Sequence, residues 1–406
     1  MISVNFHALR RLRPVLPYLL GLLAVAATAH GSGTRVGFKD AFATARGNAF
    51  VATADNPSAI YYNPAGLTRL EGAQFEGNLY SVALSSDYTG AGGKASMSQS
   101  YQSVPSFYAT WKPQGAPWAY GFGIYAPFGL STDWPDASPL RTFALKNKQT
   151  YVTYNFSGAW QCSSDLSFGA GVTYNRVSTD LRRALGFIAP NDLFRFEGSG
   201  DTAGLNLGVL WQPAPEHSFG LNYSMQTNVT LRGTSSTIPL IASESASARF
   251  AFPEVLIAGW SWRPQPEWNL EVNVDWTNWN RLGTVTINKP SGALPLPFNW
   301  QSGYFYEFGA TRYFPDGWNA SFGYCFTQNS TPDSTYTPAV PDSNRSFYSL
   351  GAGYRSGNFS ADLAWQYADG GTRRVTGSPP SLIGATADGT YKNSINAFSF
   401  SAAYRF

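Results

Sequence analysis

The chain has 406 residues, of which 13% are charged and 16% aromatic, against the roughly 25% charged expected of a soluble domain. The formal charge of +3 comes from three arginines in the first 29 residues, and beyond them Lys+Arg and Asp+Glu balance at 25 each. This excludes a basic face for nucleic acid and argues against a soluble enzyme, while a mean hydropathy of −0.20 still allows a barrel in which only alternate residues meet lipid.

Residues 1–29 read as a secretory signal peptide. Arg10, Arg11 and Arg13 supply the positive region, Val15 to Ala27 the apolar run, and Ala27-Thr28-Ala29 the cleavage site. The run falls short of the about 20 residues a spanning helix needs, and no later stretch supplies one.

Residues 30–73 are rich in alanine and glycine and show no sustained period of two. Asp55 or Ser58 can cap a helical turn, and Asn63-Pro64 forces an extended step before a second turn. Two readings stand: a disordered periplasmic tail, or a compact, partly helical hatch filling a lumen. Phe50, Val51, Ile60, Tyr61, Tyr62 and Leu67 favour the hatch.

Residues 74–406 read as a transmembrane barrel. Leu166, Phe168, Ala170, Val172 and Tyr174 alternate with small or polar residues. So do Trp268, Leu270, Val272, Val274 and Trp276, and the final run Phe398, Phe400, Ala402, Tyr404 and Phe406. One face of each meets lipid and the other a lumen. Short turns at 113–117, 162–165, 212–216, 263–267, 314–317 and 356–358 alternate with long polar segments near 83–104, 130–150, 178–202, 230–251, 282–300, 327–346 and 369–394. Six short and seven long connections separate fourteen strands. The expected fold is all-β: a 14-stranded antiparallel β-barrel in the bacterial outer membrane, closed because an open edge cannot satisfy its backbone in lipid. The pattern puts both termini on the periplasmic side. It implies as partners outer-membrane lipid, lipopolysaccharide and the barrel assembly machinery.

Chemistry is sparse. His30 and His217 are the histidines beyond the signal peptide, too few for a metal cluster and a poor basis for a Ser-His-Asp triad. No catalytic residue, metal or cofactor is expected. No Gly-x-x-x-x-Gly-Lys motif is present; Gly93-Lys94 lacks the first glycine, position 88 being Tyr. Glu271, Asp275 and Asp362 point inward and Glu254 lies near a strand rim. They form either a polar network holding the hatch, with Arg35, Arg46 or Arg69 as partners, or a solvated lumen. Phe187, Ile188, Leu193 and Phe194 lie in a long outer loop. They either capture a greasy ligand first or pack on a neighbouring loop. Pro127 lacks an amide donor and Gly129 permits a bend, so Pro127-Phe128-Gly129 either kinks its strand or ends it.

An ordered set of motifs resembles one family. Gly37-Phe38, Ala45-Arg46-Gly47-Asn48-Ala49, Ala52-Thr53-Ala54-Asp55-Asn56-Pro57 and Asn63-Pro64-Ala65-Gly66-Leu67 are similar to the hatch of the FadL/TodX transporters of long-chain fatty acids and aromatic hydrocarbons. Ala126-Pro127-Phe128-Gly129-Leu130, Asp275-Trp276-Thr277-Asn278-Trp279 and Pro341-Asp342-Ser343-Asn344-Arg345 continue the resemblance along the chain. It implies a monomeric fourteen-stranded barrel for passive uptake of hydrophobic small molecules. It implies a gating role for Asn63, Pro64, Ala65 and Gly66, and a lateral exit at Pro127, Phe128 and Gly129. An adhesin, receptor or structural barrel without transport is the alternative. The residues do not decide between fatty acids and hydrocarbons.

Overall fold

The computed structural model describes residues 33–98, 101–186 and 192–406. The expected signal peptide lies outside the described residues, as do Phe187 and Ile188. The first described segment carries α1 (Ala41–Ala45), α2 (Ala59–Tyr62) and a 3-10 helix (Pro64–Arg69). Nineteen strands follow among the described residues: β1 (Gly72–Gly90), β2 (Gly93–Ser96), β3 (Gln102–Lys112), β4 (Trp118–Asp133), β5 (Lys146–Gln161), β6 (Leu166–Arg183), β7 (Leu193–Ala214), β8 (His217–Ser224), β9 (Thr227–Ile238), β10 (Ile241–Phe252), β11 (Val255–Trp262), β12 (Trp268–Thr277), β13 (Thr284–Asn288), β14 (Leu294–Pro297), β15 (Gly303–Tyr313), β16 (Trp318–Thr327), β17 (Arg345–Ser356), β18 (Phe359–Val375) and β19 (Gly389–Arg405). No described helix is long and apolar enough to cross a membrane.

Fourteen strands build the wall. β1, β3 to β8, β11, β12 and β15 to β19 pair antiparallel with their neighbours in that order. The ring closes where β19 pairs with β1, from Gln74↔Arg405 to Thr89↔Thr390. The other five strands lie at the long-loop end. β2 folds back on β1, β9 and β10 form a hairpin that prolongs β8 and β11, and β13 and β14 form a second hairpin against β10.

All six short turns fall where the turn chemistry places them. The long segments differ from expectation, because paired strand runs far into them. β6 continues to Arg183 and β7 begins at Leu193, inside the expected loop 178–202, and the expected loop 230–251 is mostly the β9–β10 hairpin. Beyond the lipid the period inverts: polar residues face outward, while Phe194, Phe196, Val229, Leu231 and Phe250 turn inward into a buried cluster.

Side chains sort as the period dictates. Phe156, Leu363 and Phe400 stand exposed on the lipid side, while Asn155, Asn269, Glu271 and Asp275 are buried in the lumen. The hatch fills that lumen, and the small residues of the inner face are its seat. A Cβ on Gly169 would overlap Pro64 and Ala65, one on Gly208 would overlap the Asn63 side chain, and one on Gly323 would overlap Gly47.

Within the hatch, Asp40 caps α1 by accepting from the Ala43 amide at 2.8 Å. Neither expected cap forms. Ser58 precedes α2 without a side-chain bond to it, and Asp55 pairs with Arg263 at 3.2 Å. Burial makes Asp40 the cap, because its carboxylate must find donors inside the lumen. Asn63 is extended (φ −167°, ψ 100°), as a residue before proline should be. Phe42, Phe50 and Tyr62 stack edge to face at 5.8 and 5.3 Å as the hatch's own small core.

Gly169→Leu and Gly208→Leu should unseat the hatch and leave the wall intact. Heat-modifiable gel mobility would stay native, while limited proteolysis would cut residues 41–69 in the variants alone. Equal protection of the hatch would rule out this seating.

Candidate functional site

Three wall carboxylates hold the hatch from β12 and β15. Glu271 accepts from the Ala52 and Thr53 amides at 2.9 Å each and from the Thr53 hydroxyl at 2.5 Å, with Arg46 3.6 Å away. Asp275 pairs with Arg35 at 2.5 Å. Glu307 accepts from Asn48 at 2.6 Å and Asn273 at 2.9 Å. All three are buried, and a buried carboxylate is tolerable only when so supplied with donors.

Of the expected arginine partners, Arg35 and Arg46 pair with carboxylates. Arg69 instead donates to the Thr53 carbonyl, Gln212 and Ser218. Asp362 takes a wall partner, Arg355, at 3.7 Å. Glu254 stands apart from the expected network. It sits between β10 and β11 and accepts from Asn278 at 2.6 Å and Arg281 at 3.0 Å. Burial pushes its carboxyl up, but Arg281 and Asn278 outweigh that and hold it below the ordinary range. Lys39 is fully buried with no hydrogen-bond partner for Nζ, and burial, then Arg35, lower its pKa far below the usual lysine value.

Asn63 is a clamp. Its Nδ2 donates to the Val51 carbonyl within the hatch and to the Val209 carbonyl of β7, both at 2.9 Å. Its Oδ1 accepts from the Ala65 amide at 3.2 Å and so caps the 3-10 helix. Pro64 starts that helix, and Gly66 fits because a Cβ there would overlap Ala54.

Pro127, Phe128 and Gly129 lie within β4 and kink it without ending it. β3 pairs with β4 only up to Ile124, although β3 continues its pairing with β1 through Gln102. The β4–β5 register slips between Tyr125 and Phe128. The hatch fills the vacated edge from inside. The Val36 amide donates to the Pro127 carbonyl and the Gly129 amide to the Thr34 carbonyl, each at 2.9 Å, and Arg35 bridges Phe128.

Two cavities flank this patch. Toward the long loops, about 200 Å³ is enclosed by residues that include Phe194, Phe252, Trp279 and Trp300, with Lys148, Arg182 and Arg183 as its cations. Nearer the hatch, about 60 Å³ is bounded by Arg35, Tyr61, Pro127 and Phe128 among others. Phe128 stands between them and packs on Tyr151, Phe252 and Trp279 at 5.2, 5.1 and 5.8 Å. Thr34 lines the first cavity and Arg35 the second, so one peptide step of the hatch is the partition.

Phe194 is not in an exposed loop: it lies in β7, buried, inside the larger cavity. Leu193 is half-buried beside it. The first described residue, Gly33, donates to Asp342 at 3.3 Å at the long-loop end of the lumen. The expected periplasmic N-terminus falls among residues outside those described. Glu307 and the cavity residue Trp300 escaped the sequence reading. The signal for Glu307 was present: Phe305, Glu307, Gly309 and Thr311 alternate inward along β15.

The family described as outer membrane protein transport protein (OMPP1/FadL/TodX) matches residues 22–406. The long-chain fatty acid transport protein of Escherichia coli is 20% identical, covering 64% of this chain and 69% of its own. A Pseudomonas aeruginosa FadL homologue superposes with TM-score 0.84 at 21% identity, over 92% of this chain and 100% of its own. The Pseudomonas putida toluene transporter TodX gives 0.73 at 17%, over 92% and 99%.

Glu271→Ala strips three bonds from the hatch and leaves Arg46 short of a partner, a loss of about 3–5 kcal/mol in seating. Asn63→Ala should cost about 1–3 kcal/mol by leaving carbonyls unpaired. Hydrogen exchange should accelerate at hatch amides in both variants and stay unchanged in the wall.

Proposed function

The chain belongs to the OMPP1/FadL/TodX family of outer-membrane transport proteins, and on that footing we propose that it takes up long-chain fatty acids or aromatic hydrocarbons by a hatch-gated route with a lateral exit. The family carries hydrophobic small molecules across the outer membrane through a passive barrel, without enzymatic chemistry. A greasy molecule is shut out by a water-filled pore and by the polar outer leaflet alike; an apolar cavity with a side door avoids both.

The observation that supports the reading is the edge of β4 that β3 leaves unpaired and the hatch covers, beside the smaller cavity. Cargo enters among the long loops and settles against Phe194 and Trp300. Phe187, Ile188 and Leu193 serve as its first contacts. It passes the Thr34–Arg35 partition and leaves sideways between β3 and β4. Residues 30–73 are the hatch and 74–406 the barrel, with residues 1–29 removed on export. Asn63, Pro64, Ala65 and Gly66 hold the hatch shut. Glu271 and Asp275 fix its register, while Asp362 and Glu254 brace the wall. The short turns face the periplasm, and the protein acts as a monomer. The cations of the larger cavity favour a carboxylic acid over a bare hydrocarbon.

Cells lacking their own importer and expressing this protein should accumulate labelled oleate, labelled toluene, or both. Phe252→Asp, which puts a charge into the apolar cavity, should cut that uptake by roughly tenfold or more. If neither probe enters while the barrel is folded, the adhesin or receptor reading replaces this one.

A further inference from the structure

Arg35 holds the partition in place by two unlike means. Its backbone bridges the kinked β4 at Phe128, and its side chain reaches across the lumen to β12. There Nη1 donates to the Thr277 hydroxyl at 2.9 Å and lies 2.5 Å from Asp275 Oδ2. Arg35 and Asp275 form a charge pair buried inside the lumen. The guanidinium is buried, 4.8 Å over the Phe305 ring, and Arg35 is among the residues that bound the smaller cavity. It is thus a buried cation within reach of anything that enters that cavity.

We propose that Arg35 is a specificity-determining latch, in which a carboxylic acid on the cargo takes the guanidinium from Asp275 and so releases the Thr34–Val36 segment from the gap beside β3. The inference rests on the uptake reading above and adds what selects the cargo. The exchange conserves charge. An acid arriving neutral passes its proton to Asp275 Oδ2, its own carboxylate keeps the guanidinium partnered, and no buried ion is left alone. A molecule without an acidic group has no such exchange available, and moving the segment then means pulling a buried ion pair apart. A guanidinium suits the task, since it accepts a second carboxylate geometry on its remaining N–H donors.

The test compares labelled decanoic acid with labelled decan-1-ol, matched in chain length, in importer-deficient cells expressing the full chain. The native protein should favour the acid. Arg35→Gln removes both the partner of the acid and the ion pair that restrains the alcohol, so it should collapse the acid-to-alcohol uptake ratio roughly tenfold, the scale of one charge-assisted hydrogen bond. Asp275→Asn keeps the side-chain shape and removes the competing charge, so it should raise alcohol uptake toward that of the acid. Heat-modifiable mobility establishes folding, and either variant alone decides the matter if the other fails to fold. A second readout does not require transport. A spin label at Val36→Cys in a Cys162→Ser background should gain mobility with decanoic acid and not with decan-1-ol. An unchanged acid-to-alcohol ratio in the folded variants, or equal label mobility with both probes, overturns the latch and leaves the uptake reading standing. Failure of the native protein to take up either probe overturns both.

Discussion

Every backbone amide that faces lipid must find its partner inside the protein. This constraint determines the architecture, because a sheet meets it only by closing on itself, and here it closes through the long ladder between β1 and β19. A closed ring of fourteen strands encloses a lumen too wide for its own side chains to fill. The alternation that sends Phe156 and Phe400 to lipid sends glycine, asparagine and carboxylates inward. The hatch is the complement of that inner face. The pairing of the ring is interrupted between β3 and β4 beyond Ile124. There a three-residue piece of the hatch supplies the hydrogen bonds that a neighbouring strand would supply elsewhere.

The hatch is held by a kind of bonding unusual for a protein interior. Its own apolar core is small, centred on Phe42, Phe50 and Tyr62. Its attachment to the wall runs through Glu271, Asp275, Glu307, Arg35, Arg46 and Asn63. Buried ion pairs add little net stability compared with packed hydrocarbon, but they fix orientation. The oriented charges thus set the register of the plug against the wall. Apolar contacts to the wall accompany these bonds: Ile60 and Leu67 pack with Tyr108 and Tyr125, Phe38 with Tyr80 and Phe347, and Val51 with Val255 and Ile257.

The barrel was legible because lipid imposes a strict period and short turns carry strong chemistry; the terminal run ending at Phe406 is one strand of a pattern that recurs along the chain. The hatch was legible through Asn63-Pro64 and its apolar residues. The upper reaches of β6, β7, β9 and β10 were not, since the period inverts there, with polar residues outward and Phe196, Val229, Leu231 and Phe250 in a buried cluster inside. Phe194 was misplaced for that reason, as it looked like a loop residue and is a strand residue facing inward. The inward acids were legible one by one, yet their partners were not. Asp275 meets Arg35 across 240 residues of sequence, and no local pattern encodes that pairing. Glu254 shows the converse, being near the others in kind and bonded to something else.

The position of the hatch ahead of β1 bears on assembly. The wall cannot close until β19, the last strand, reaches β1, so the pairing that completes the ring joins the most distant strands of the chain. Such a topology makes folding slow and late in its cooperativity. Residues 33–70 lead directly into β1, so the plug is tethered beside the seam that β19 completes. A ring closed without its plug would be an open pore, and the barrier therefore depends on a segment that takes no part in the ring's own pairing.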